Sequence, residues 1–193
     1  MDQGEGDLPA RLSTDLDPSF EGLMLTYWHP LYAFVLRRVE SQQDAEDIVS
    51  EAFVRAYLAL KGYPAERIRT LKLRPWLYKI TYHEYCRFIG RATPPSVPFA
   101  LVEMGMVIEQ EEDQRKQPEV FFESAERRQE LETLVAALPD RYREAVSLYY
   151  FEELSYQQIA DVLDQPLGTI KSSVHRGIRL LRKLLSAQSN EVI

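Results

Sequence analysis

Ser155–Leu185 reads SYQQIADVLDQPLGTIKSSVHRGIRLLRKLL, and its punctuation decides the fold. Ser155 and Gln158 stand at capping-box spacing, a hydroxyl for the N3 amide and a side-chain oxygen for the N-cap N–H. Ile159, Ala160 and Leu163 then give a short helix one apolar face. Asp164-Gln165-Pro166 breaks it, because proline has no N–H and disfavours helix in the residue before it. In a second helix Ile170, Val174, Ile178, Leu181 and Leu185 fall at three/four spacing on a buried side. Lys171, Ser172, His175, Arg176 and Arg179 are left outward. Two helices joined by a short turn, the second opening on a basic face, form the arrangement that enters a DNA major groove. Ala160 is small where the two helices must cross. Gly168, Thr169, Ser172 and Ser173 keep the second helix slim at its N-terminus, where free backbone N–H groups favour phosphate. A surface helix with a solvated basic face is the plain alternative for this segment alone.

Toward the N-terminus, Tyr142, Ala145, Val146, Leu148 and Tyr149 mark another amphipathic segment, and helical pattern runs from near Glu119 to Leu138-Pro139. Between Thr93 and Pro118 four prolines and the acidic run Glu109–Asp113 break the period, as an interdomain linker does. Further upstream, Ala45, Ile48, Val49, Ala52, Phe53, Ala56, Tyr57 and Leu60 line one face of a long helix that Ser41 and Asp44 cap. Gly62 and Pro64 end it. A basic loop through Arg67, Arg69 and Lys72 leads to a helix near Arg74–Gly90, with Pro75 in its first turn. Pro18–Val39 reads as helical, with Pro30 kinking or splitting it, and the first seventeen residues read as a mobile tail. The predicted fold is all-α: two small helical domains joined by a flexible acidic linker, the C-terminal one a helix-turn-helix.

The net charge of −7 over 193 residues argues against a nucleic-acid binder until the charge is located. Glu40–Glu51 holds five acids and no base, a local −5 that repels phosphate. Lys61–Arg91 holds eight bases against Glu66 and Glu84, with aromatics interleaved. Thr93–Arg127 returns to −5, and Lys171–Lys183 carries five bases and no acid. The alternation implies two kinds of partner. No stretch of even fifteen uninterrupted apolar residues is present, so no membrane insertion is expected. The single cysteine, Cys86, leaves no internal disulfide and agrees with a cytoplasmic protein.

Two motif blocks carry a family resemblance. DAEDIVSEAFVRAY at Asp44–Tyr57, followed by LRPWLYKI at Leu73–Ile80, is one; LPDRYREAVSLYYFEELSYQQIADVLDQPLGTIKSSVHRGIRLLRK at Leu138–Lys183 is the other. In this order, around an acidic linker, they resemble the extracytoplasmic-function group of bacterial sigma factors, over roughly Phe20–Leu185. The resemblance implies a tail over 1–17, a sigma region 2-like domain over 18–92, the linker over 93–127 and a region 4-like domain over 128–187. It implies core RNA polymerase and promoter DNA as partners, control by an anti-sigma factor, and neither catalysis, cofactor, metal nor small-molecule substrate.

By the same resemblance Asp44, Asp47, Ser50 and Glu51 contact a coiled coil of polymerase, opposite the buried face of their helix; a solvated charged face is the alternative. Tyr63, Arg67, Lys72, Arg74, Lys79, Tyr82, His83 and Arg87 are candidates for the near promoter element, where cations meet the backbone and flat rings meet an unstacked base. Trp76 and Leu77 are expected in the core instead. Thr169, Lys171, Ser172, Ser173, His175, Arg176 and Arg179 are candidates for the distant element. The acidic linker of relatives threads into the polymerase cleft. Relatives commonly carry Asn, an apolar residue and Asp where this chain has His83, Glu84 and Arg87, and often Arg in place of Ser173, so promoter preference does not carry over at these positions.

Three rival readings have less behind them. A decoy for an anti-sigma factor would not need the basic groups of both DNA-facing segments. An enzyme would have His83, Glu84 and Cys86 alone, with no oxyanion donors. A zinc site from those residues and His29 matches no ligand spacing.

Overall fold

The computed structural model describes residues 7–90 and 125–190. Chain contacts divide it into two compact units, 1–103 and 104–193. The described residues form nine helices and no strand, as the all-α reading expects.

In the first unit the helices are α1 (Leu8–Thr14), α2 (Leu16–Leu36), α3 (Gln42–Gly62), α4 (Ala65–Thr70) and α5 (Leu73–Phe88). Helix α3 lies against both α2 and α5. Its predicted stripe is buried at Ala45, Ile48, Val49, Ala52, Phe53, Ala56 and Leu60, with Ala59 added and Tyr57 left half-buried. Ser41 caps it, Oγ accepting from the Asp44 N–H at 3.3 Å. Tyr57 reaches across to α2, where its hydroxyl donates to Asp17 Oδ1 at 2.7 Å, and that bond to a carboxylate holds the phenol above its ordinary pKa. Pro30 sits inside α2 without dividing it; at this exposed position the helix runs on to Leu36. Phe34 of α2 meets Tyr78 of α5 edge to face at 5.1 Å, joining the two where both are buried.

One expectation fails at the N-terminus. Leu8–Thr14, read as part of a mobile tail, is helix α1, with Leu8 and Leu12 buried one turn apart and Pro9 in the first turn. It packs against α2 and α4, and Arg69 Nε of α4 donates to Ser13 Oγ at 3.1 Å. The physical reason is that two leucines at i, i+4 suffice to dock one turn on a preformed surface, although they are too few to show a period.

The second unit comprises α6 (Ala125–Ala136), α7 (Asp140–Tyr150), α8 (Tyr156–Leu163) and α9 (Leu167–Asn190). Residues 125–127, assigned by sequence to the linker, open α6; the rest of the expected linker lies outside the described residues. Leu131, Leu134, Val135, Leu138, Val146 and Leu181 form one core cluster, with Leu180, Tyr150 and Phe151 partly buried against it. Arg143 donates twice to the Leu138 carbonyl, at 3.2 and 2.8 Å, and pairs with Asp140 at 3.1 Å, closing the turn between α6 and α7.

Candidate nucleic-acid and protein interfaces

The turn between α8 and α9 is built as its residues require. Ser155 Oγ accepts from the Gln158 N–H at 3.2 Å, and the Ser155 N–H donates to Gln158 Oε1 at 2.8 Å, so both arms of the capping box are present. Asp164 ends α8 in the left-handed region at φ 51°, a conformation that Asp tolerates better than most residues. The Gln165 N–H then returns to the Ala160 carbonyl at 3.1 Å. The Pro166 carbonyl then accepts from the α9 amides of Thr169 at 2.9 Å and Ile170 at 3.1 Å, starting the helical ladder.

On α9, Ile170, Val174 and Leu181 are buried as expected, and Ile178 is partly so. Leu185, also assigned to the core, is 41% exposed. Thr169, Lys171, Ser172, His175, Arg176 and Arg179 are all exposed, three cations among them. Ser173 is the exception. It is 8% exposed, because 170, 173, 174, 177 and 181 make one buried stripe, on the side of α9 away from those exposed residues.

The close crossing on α9 is made by Gly177. A Cβ there would lie 2.4 Å from Val146 Cγ2 and 3.4 Å from Tyr142 Cβ, so only glycine lets α7 and α9 approach this closely. Ala160 is buried as expected, and the close approach of α9 to α7 is at Gly177. The signal available was a glycine in mid-helix, on the apolar stripe, where propensity alone disfavours it.

In the first unit α3 turns Asp47, Ser50 and Glu51 to solvent, with Asp44 partly exposed. The same face continues into Val54, 53% exposed, and Leu58, 62% exposed, two apolar residues that the sequence reading did not assign. Asp47, Glu51, Val54 and Leu58 follow four/three/four spacing, so acid passes into hydrocarbon along a single outward stripe.

Around α4 and α5 the basic candidates also point outward. Arg67 lays its guanidinium over the Tyr63 ring, 3.8 Å from the centroid, and Tyr63 in turn lies 6.2 Å from the buried Trp76. Trp76 and Leu77 are core residues, as expected. Lys72 and Arg87 are exposed; Arg74, Lys79, Tyr82 and His83 are partly so, and Lys79, His83 and Arg87 stand four apart on one face. Glu84 is buried and engaged by two arginines: Arg55 Nε of α3 lies 2.6 Å from Oε1, and Arg87 Nη1 lies 3.0 Å from Oε1 and 2.9 Å from Oε2. Cys86 beside it is buried. Among the described residues no group of three His, Cys, Asp or Glu is placed to hold a metal, and no helix is long and apolar enough to cross a membrane.

The first unit thus carries an acidic helix face and an aromatic-basic surface, and the second ends in a helix-turn-helix. Family models for sigma-70 region 2 and sigma-70 region 4 match residues 23–93 and 128–181. ECF RNA polymerase sigma factor SigW of Bacillus subtilis (strain 168) is 31% identical over 170 residues, 86% of this chain and 89% of that protein. ECF RNA polymerase sigma-E factor of Escherichia coli (strain K12) is 32% identical over 165 residues, 82% of each. The chain belongs to the ECF family of RNA polymerase sigma factors. Solved structures agree on the fold: CnrH, in complex with the cytosolic domain of CnrY, has a TM-score of 0.63 at 19% identity, covering 94% of this chain and 97% of that one. RpoE of Bartonella quintana, in complex with the anti-sigma factor NepR, has a TM-score of 0.58 at 22% identity, covering 86% and 96%.

Proposed function

We propose that this chain binds core RNA polymerase in the cytoplasm, delivers it to a particular set of promoters, and does no chemistry of its own. Asp44, Asp47, Ser50 and Glu51 dock on polymerase, where carboxylates meet a basic surface and gain both rate and register. Tyr63, Arg67, Lys72, Arg74, Lys79, Tyr82, His83 and Arg87 hold the near element. Their cations follow the backbone, and the Tyr63–Arg67 stack offers a flat surface to an unstacked base. Thr169, Lys171, Ser172, His175, Arg176 and Arg179 hold the distant element in the major groove. Ser173 leaves this set, since its side chain is buried.

The observation that carries the reading is the sorting of charge by face. The acids of α3 and the bases of α5 and α9 all lie outward, on helices whose opposite sides are packed. Separate partners of opposite charge account for that sorting. Control by an anti-sigma factor is part of the proposal; CnrH and RpoE are relatives in fold that were solved with partner proteins. The test is core-polymerase binding by wild type and by D47K/E51K, alongside K171A/R176A. We expect the first variant to lose polymerase and the second to keep it while losing promoter binding. Equal polymerase binding by all three would remove α3 as the docking helix.

A further inference from the structure

Glu84 is the buried acid of α5, 6% exposed, and a carboxylate at that depth is costly unless its charge is matched. Two helices supply the match. Arg87, one turn further along α5, puts Nη1 within 3.0 Å of one oxygen and 2.9 Å of the other. Arg55 of α3 brings Nε to 2.6 Å of Oε1, an ion pair by proximity, since that N–H makes no hydrogen bond. Arg55 is itself held by Glu51 through Nη2 at 3.0 Å. Arg87 remains 52% exposed, on the stripe it shares with Lys79 and His83.

We propose that Glu84 is a positioning residue for promoter recognition. It fixes the Arg87 guanidinium at one place on the outward stripe of α5, while Arg55 fixes Glu84 from the neighbouring helix. This rests on the reading of Arg87 as a nucleic-acid contact. A free arginine samples many rotamers and attracts any phosphate; one tethered through both carboxylate oxygens presents its remaining donors in one direction. Phosphate contacts set the register in which neighbouring side chains read bases, so a fixed Arg87 sharpens discrimination by His83 and Tyr82. Glu84 also offsets part of the Arg87 charge, which lowers attraction to DNA of any sequence.

The experiment measures holoenzyme affinity for a promoter fragment and a non-promoter fragment across a salt series, for wild type, E84Q, R87A and E84Q/R87A. For E84Q we expect the promoter-to-non-promoter ratio to fall by about threefold or more. Non-promoter binding should hold or rise, with a salt slope steeper by up to about 0.9, one further phosphate neutralised. In the R87A background E84Q should change neither quantity. E84D, which keeps the charge but withdraws it by one methylene, should move the ratio in the same direction and serves if E84Q does not fold. A purely structural role would lower affinity for both fragments by one factor, with or without Arg87, and either result overturns the inference. If R87A by itself leaves promoter binding unchanged, the reading of Arg87 as a contact falls and this inference with it. If R87A weakens binding while E84Q and E84D do not alter the ratio, this inference alone falls.

Discussion

Ser172 and Ser173 are adjacent and have opposite fates. Ser172 is exposed, its Oγ donating to the Thr169 carbonyl at 2.9 Å, whereas Ser173 lies on the stripe with Ile170, Val174 and Gly177. Both are short polar residues near the start of α9; the apolar period left Ser172 outward without placing Ser173, and the family resemblance made both candidates for DNA. The period, applied strictly, separates them, because 173 is three past Ile170 and four before Gly177. Glu84 was legible in the same way: it is seven past Leu77 and four past Ile80, on the buried side of α5. Its partner Arg55 was not, since nothing local ties a residue of one helix to a carboxylate 29 positions away. We expect S173A to change promoter affinity by less than about twofold, within the range of a silent substitution. K171A and R176A should each weaken promoter binding and reduce its salt slope by about 0.9. Filter binding across a salt series checks all three.

At the level of elements, what the sequence disclosed depended on length. Helix α3 offers eight apolar positions between Ala45 and Leu60 and a cap, so its stripe and its start were both readable. The helix-turn-helix was readable from its capping box and its proline-marked break. Helix α1 has only Leu8 and Leu12, and was missed. If its docking is part of the fold, L12A should destabilise the first unit by about 2–5 kcal/mol, the cost of emptying a leucine site in a core. A loose tail would give no change in urea unfolding. The α7–α9 crossing makes the converse prediction. G177A gains about 1 kcal/mol of helix propensity but forces a methyl onto Val146, an overpacking cost of about 1–3 kcal/mol. A net loss of up to about 2 kcal/mol is expected in denaturant unfolding of the second unit. A double-mutant cycle with V146A should return a coupling of at least about 0.5 kcal/mol, as touching sites do.

Across the whole molecule, a net charge of −7 conceals a sorting of charge. Acid is gathered on α3, whose outward stripe continues into Val54 and Leu58; base is gathered on α4, α5 and α9 between Lys171 and Lys183. The order of these blocks along the chain was visible without a structure, because charge runs are local. The faces they occupy follow from where the apolar period puts the core. How Glu84 is held was not visible, because one of its partners, Arg55, comes from a neighbouring helix. The central claim is that the chain directs polymerase to promoters through separate docking and DNA-reading surfaces. Its most direct test is to map transcript 5′ ends made by core polymerase on genomic DNA, with and without the purified chain. The expected result is a new set of starts that share two upstream elements, lost with D47K/E51K and with K171A/R176A; the same starts with and without the chain would contradict it.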